Sequence, residues 1–185
     1  ITMICTEDSF TTSKQEVENW LTAQNLNIEL QFHILRQLTD ILSQNDARIM
    51  RNLIYSIVYK VYKKGNKQDL YLCLSGGRKT MSSDIQQAAY LFGCKAMIHI
   101  LAEGIVNFDL ETTPENIPYQ EINKINPVLY NKDIPSSKLA ELIEDNEVKL
   151  PKADIVDNIY SYKDQDTPFL DLVEKLQAQQ DNLTI

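Results

Sequence analysis

The chain has 185 residues, a net charge of −8, 43% hydrophobic and 24% charged residues. Those are the proportions of one ordinary globular domain, or one domain with an extension, and they exclude a disordered, collagenous or coiled-coil chain. No apolar run is long enough to span a bilayer. The acidic balance argues against binding to DNA or RNA polymers, because neutralising a phosphate backbone takes a surplus of Lys and Arg. A small anion held by one local basic patch stays open.

Residues 1–6 read as a short apolar strand. Residues 13–24 suit a helix, with Val17, Trp20 and Leu21 on one face and Thr12 or Ser13 as the cap. Over 27–35 the apolar positions Ile28, Leu30, Phe32 and Ile34 alternate, which is the period of a strand. Residues 46–63 carry Ile49, Met50, Leu53, Ile54, Ile57, Val58 and Val61 at helical spacing, and Gly65 stops that helix. Tyr55, Tyr59 and Tyr62 beside this stripe read as core or dimer packing. A strand at 69–74, a helix at 80–92 closed by Gly93, and a buried strand at 95–101 follow.

All five glycines fall between residues 65 and 104, and all six prolines after 113. The later part therefore reads as short pieces joined by proline-punctuated loops. It holds helices at 137–145 and at 168–180, the second with Thr167 as N-cap and Pro168 in its first turn. The piece at 153–162 suits either a helix or a strand. Strands alternating with helices predict an α/β fold: a Rossmann-like, mostly parallel sheet with helices on both faces, plus a mixed C-terminal extension. The division expected is a ligand-binding core over 1–105 and an extension over 106–185, packing on the core or at a dimer interface. Cys5, Cys73 and Cys94 lie in or beside apolar segments without metal or disulfide spacing, and read as buried free thiols of a reducing compartment.

One segment carries chemistry, Ser75-Gly76-Gly77-Arg78-Lys79-Thr80-Met81-Ser82, between a strand and a helix. Two glycines let the backbone turn tightly and approach a ligand. The helix start behind them offers free N–H groups and the positive end of its dipole. Arg78 and Lys79 add cations, and Ser75, Thr80 and Ser82 add hydroxyls. Every part favours a phosphodiester. Neither the P-loop spacing nor G-x-G-x-x-G is present, so a nucleoside triphosphate with Mg²⁺ or a dinucleotide cofactor is disfavoured and no cofactor is expected. His33 and His99 both lie within strands with no Cys or carboxylate at ligand spacing. No metal site is expected, and no catalytic triad has its usual sequence context.

The string SGGRKTMS after the strand LYLCL, and the stretch Leu38-Thr39-Asp40-Ile41 through Gln44-Asn45-Asp46, resemble the CARF domain. That is the Rossmann-like sensor of cyclic oligoadenylates in type III CRISPR antiviral defence. The resemblance covers about residues 1–104. It implies a homodimer or higher homo-oligomer with a cyclic oligoadenylate, cyclic tetra-adenylate foremost, lying across the two-fold axis. Gly76, Gly77, Arg78 and Lys79 match the family's phosphate-gripping turn, and Thr80, Met81 and Ser82 its continuation. The loop Thr6-Glu7-Asp8-Ser9 would add to the ligand face, and Ser75 to the turn.

The family usually has one more strand upstream, and Ile1–Thr6 looks like its second. The expected function is a sensor that activates an effector element upstream of Ile1. A transmembrane helix there would make this the cytoplasmic domain of a CARF membrane effector anchored in the inner membrane. The alternative is a metal-independent ring nuclease, with Lys79 stabilising charge, Arg78 holding the phosphate and Ser75 or Ser82 orienting the nucleophile. A transcription regulator ranks last, since the acidic extension offers no basic recognition helix.

Overall fold

The computed structural model describes residues 1–65, 69–101, 126–151, 153, 158–161 and 167–183. They form β1 (Thr2–Thr6), α1 (Glu7–Ala23), β2 (Gln31–Arg36), α2 (Gln44–Lys63), β3 (Tyr71–Cys73), α3 (Lys79–Phe92), β4 (Cys94–Leu101), β5 (Asn126–Ile134), α4 (Lys138–Glu144), β6 (Ile159–Ser161) and α5 (Pro168–Leu183). The class is the Rossmann-like α/β expected. Its described strands lie in two three-stranded sheets, ordered β1-β2-β6 and β3-β4-β5. Alternating strands and helices dictate parallel pairing, but not which strands share a sheet. The chain divides into two compact units, one of Ile1–Asp40, Ile100–Val128 and Ala153–Lys163, the other of Ile41–His99, Leu129–Lys152 and Asp164–Ile185.

In the first unit β2 is the central strand, parallel to β1 (Thr2 opposite Gln31, Thr6 opposite Leu35) and to β6 (Ile34 opposite Ile159, Arg36 opposite Ser161). His33, Ile34 and Leu35 are buried in succession. That is the mark of a parallel strand covered on both faces, and it replaces the alternation expected over 27–35. Ile28 falls before the strand and is exposed. His33 is a core histidine, its Nδ1 3.1 Å from the Tyr160 hydroxyl. Helix α1 starts six residues earlier than position 13. Thr6, not Thr12 or Ser13, is its N-cap, accepting from the Ser9 amide. Thr12 instead donates to the Asp8 carbonyl inside the helix. Phe10 meets Phe32 edge to face at 5.3 Å and seats α1 on the sheet.

In the second unit α2 is the central helix. Ser43 and Asp46 form a capping box, each side chain accepting from the other's backbone N–H. Asn52 to Tyr59 are all buried, so the helix is enclosed on every side. Tyr59 lies 5.5 Å from Phe92 and 5.1 Å from Phe169, which places it in the core. Helix α5 is tied on by Arg48, which donates to both carboxylate oxygens of Glu174 at 2.8 and 2.9 Å, and by Asn52, whose Oδ1 accepts from the Leu170 amide. Helix α3 is tied on by Arg51, donating to the buried Asp84 at 2.6 Å, and by Tyr55, donating to Gln87 at 3.0 Å.

Several local expectations change. Cys5 and Cys94 are buried, and burial pushes both thiols up, but Cys73 is exposed on β3. Strand β5 lies in the proline-punctuated region read as loops; its pairing partner β4 is distant in sequence. On α4, Leu139 and Ile143 are buried and Leu142 is exposed. The 153–162 piece supplies strand β6; residues 154–157 and 162 lie outside the described residues.

Gly93 ends α3 at φ +78°, where a Cβ would stand 2.7 Å from the Ser136 nitrogen and 2.8 Å from the Ile134 oxygen. Both are backbone atoms. Gly93→Ala is expected to lower the unfolding free energy by at least about 1–3 kcal/mol, read as a fall in urea midpoint at unchanged slope; an unchanged midpoint refutes the close approach.

Asp84 has only one carboxylate oxygen bonded, and its Oδ2 is buried without a partner. Burial pushes this carboxyl above its ordinary range, against the pull of Arg51. A raised native pKa means the folded state holds the proton more tightly than the unfolded one, so this group's contribution to stability falls as pH rises through the raised value. Measured by urea unfolding from about pH 4 upward, the stability of Asp84→Asn relative to wild type is expected to improve as pH rises. A difference that does not vary with pH would count against it.

Candidate functional site

Strand β3 pairs in parallel with β4, Tyr71 opposite Ala96 and Cys73 opposite Ile98. Both strands therefore end at the same edge, where open α/β sheets receive ligands. The Leu74 amide donates to the Ile98 carbonyl at 2.8 Å, carrying the pairing one residue beyond β3. The chain then turns through Gly76 (φ +87°) and Gly77 (φ +81°), left-handed values that L side chains rarely adopt. Arg78 is the N-cap of α3, in extended backbone and without a side-chain capping bond.

The start of α3 differs from the other capped helices. Helices α1, α2 and α4 begin with a hydroxyl cap, Thr6, Ser43 and Ser137, and each has a carboxylate in its first turn. Helix α3 has neither; its first residues are Arg78 and Lys79. Its leading N–H groups face the turn with the positive end of the dipole behind them and two cationic side chains beside them. Residues 76–80 are all exposed. The first turn of α3 carries no carboxylate.

The structure brings Ser75, Gly76, Gly77, Arg78, Lys79, Thr80, Met81 and Ser82 into this one turn. Their roles within it differ. Met81 is buried, and its Sδ lies 3.1 Å from where a Cβ on Gly77 would stand, so it packs beneath the turn. The Ser82 hydroxyl donates to the Leu74 carbonyl at 2.7 Å and holds the turn shut. Thr6, Glu7, Asp8 and Ser9 belong to the other compact unit and are not a loop: they are the N-cap and first turn of α1. There Glu7 accepts from the Gln37 amide at 2.7 Å and lies 3.9 Å from the Arg36 Nε.

One neighbour of the turn was not legible in the sequence. The Nδ1 of His99, on β4, lies 3.1 Å from the Ser75 hydroxyl, 24 residues away along the chain. His99 is exposed, unlike His33. No local motif marks this pair, because only the parallel register of β3 with β4 creates it.

Fold and turn together define a Rossmann-like α/β protein with a glycine turn at the carboxyl edge of a parallel strand pair. Residues 15–175 match the family described as CRISPR-associated protein NE0113, and the chain belongs to that family. The expected link to CRISPR defence holds at this level. No curated protein matches the chain. Among the described residues no helix is long and apolar enough to cross a membrane.

Space around Gly76 is open, with nothing within 4 Å of an added Cβ, so its constraint is the positive φ alone. Gly76→Val is expected to cost about 1–3 kcal/mol of stability and to disturb the turn. Thermal unfolding and amide shifts of residues 75–80 would report it, and a wild-type melting curve with unmoved shifts would contradict it.

Proposed function

We propose that the chain is a CARF-type sensor domain of type III CRISPR defence, binding a cyclic oligoadenylate, foremost cyclic tetra-adenylate, and passing the binding energy to an effector element. The observation that carries this reading is the amino end of α3. Its N–H groups are left without a capping side chain, two glycines admit a ligand's backbone, and Arg78 and Lys79 stand at the opening. Membership of a CRISPR-associated family supplies the biological setting.

A ring of repeated nucleotides has rotational symmetry, so a two-fold dimer would offer the same turn to opposite phosphates. Binding then needs no cofactor: the ligand's charge is met by backbone N–H groups, one guanidinium and one ammonium. A second reading, opening of the bound ring, is favoured by one observation, the Ser75–His99 pair beside the turn.

Calorimetric titration with cyclic tri-, tetra- and hexa-adenylate tests the sensor. The tetramer is expected to bind most tightly, at one ring per two chains. Arg78→Ala and Lys79→Ala are each expected to weaken binding by about 1.5–3 kcal/mol, the loss of one charge-assisted contact. Absence of heat with all three rings, or unchanged affinity in both variants, would overturn the assignment.

A further inference from the structure

We propose that His99 makes the β3–α3 turn a pH-dependent anion site: its imidazolium joins Arg78 and Lys79 on a bound phosphate, so that ligand and proton bind together. The proposal rests on the ligand reading above and adds how that site is regulated. The two histidines of the chain have different surroundings. His33 is buried, with Nδ1 3.1 Å from the Tyr160 hydroxyl, the ordinary condition of a core histidine. His99 is exposed near the carboxyl end of β4. Its Nδ1 lies 3.1 Å from the hydroxyl of Ser75, the residue just before the two glycines. The Leu74 amide donates to the Ile98 carbonyl, so backbone pairing holds the residues that precede both partners.

Histidine is the side chain whose charge ordinarily changes between about pH 5 and 8. A phosphodiester keeps its charge over that range, and adenine stays neutral. A pH dependence of binding there belongs to the protein. The contact with Ser75 serves both charge states. A hydroxyl donates to the neutral ring or accepts from it, whichever tautomer is present, and it accepts from the imidazolium. The imidazolium carries N–H on both nitrogens. With Nδ1–H on Ser75, Nε2–H is left to donate to a phosphate oxygen.

The charged neighbours set the sign. In the turn, Arg78 and Lys79 are cations. Farther along α3, Asp84 is buried and paired with Arg51. On β5, Asp133 is paired with Lys95 of β4 and follows Lys132 in the chain. On β3 stand Tyr71 and Cys73, residue types that are uncharged over most of this range, and Asp69 precedes that strand at the end away from Ser75. Asp84 and Asp133 each have their own cation, so a bound phosphate supplies the negative charge that favours the imidazolium. By linkage the proton strengthens phosphate binding equally. Affinity therefore falls as pH rises through the histidine range.

The test is calorimetric titration of the 185-residue chain with cyclic tetra-adenylate at about pH 6 and about pH 8, each in two buffers of different ionisation enthalpy. Wild type is expected to bind about tenfold more tightly at the lower pH, the effect of one charge-assisted contact, and to take up protons as it binds. His99→Gln should show the weaker, high-pH affinity at both values, without proton uptake. His99→Lys, permanently charged, should bind at the higher pH as wild type does at the lower. Asp84→Asn should keep the wild-type pH dependence. Several results would overturn this proposal and leave the sensor standing. They are equal wild-type affinity at both values, a wild-type pH dependence in His99→Gln, and its loss in Asp84→Asn. So would His99→Gln that binds at neither pH, or His99→Lys that binds no tighter than His99→Gln at the higher one. No binding by wild type at either pH overturns both.

Discussion

Parallel pairing of β3 with β4 is the constraint on which the candidate site depends. Two parallel neighbours must be joined by a crossover, and here the crossover is α3. The chain leaves β3 at the sheet's carboxyl edge and enters α3 within a few residues. Only a tight reversal makes that connection, and Gly76 and Gly77 supply it with two successive positive φ angles. The same reversal points the amino end of α3 at the edge where β4 delivers His99. The leading N–H groups of α3, two cations and an imidazole thus share a location because of one backbone path.

Electrostatics sharpen that location. The chain carries a net charge of −8, and the first turns of α1, α2 and α4 place carboxylates where each dipole is positive. Those helix ends are neutralised internally. At α3 the arrangement is reversed: Arg78 and Lys79 open the helix and its first turn has no carboxylate.

The rest of the second unit holds α3 in place. Arg51 and Tyr55, on buried α2, reach Asp84 and Gln87 on α3. At the other end Gly93 lets the backbone of 134–136 pass in direct contact. Movement at the amino end of α3 would therefore be felt by α2, and through Arg48 and Asn52 by α5.

The local signals were strong where periodicity or punctuation was strong. The spacing over 46–63 specifies α2, Gly93 its neighbour's end, and the Gly-Gly-Arg-Lys string the turn into α3. These depend on backbone preference and side-chain charge, both properties of short segments. Thr6 as the true start of α1, the consecutive burial along β2, and the strands β5 and β6 depended on what lies across space. Capping competes among several nearby hydroxyls, and a strand's burial is decided by both sheet faces. The sequence alone thus determined the alternating α/β class and the glycine turn that leads into α3. Only the tertiary structure decided that the strands divide between two sheets and that His99 meets Ser75, because hydrogen-bonded register joins residues that no local pattern connects.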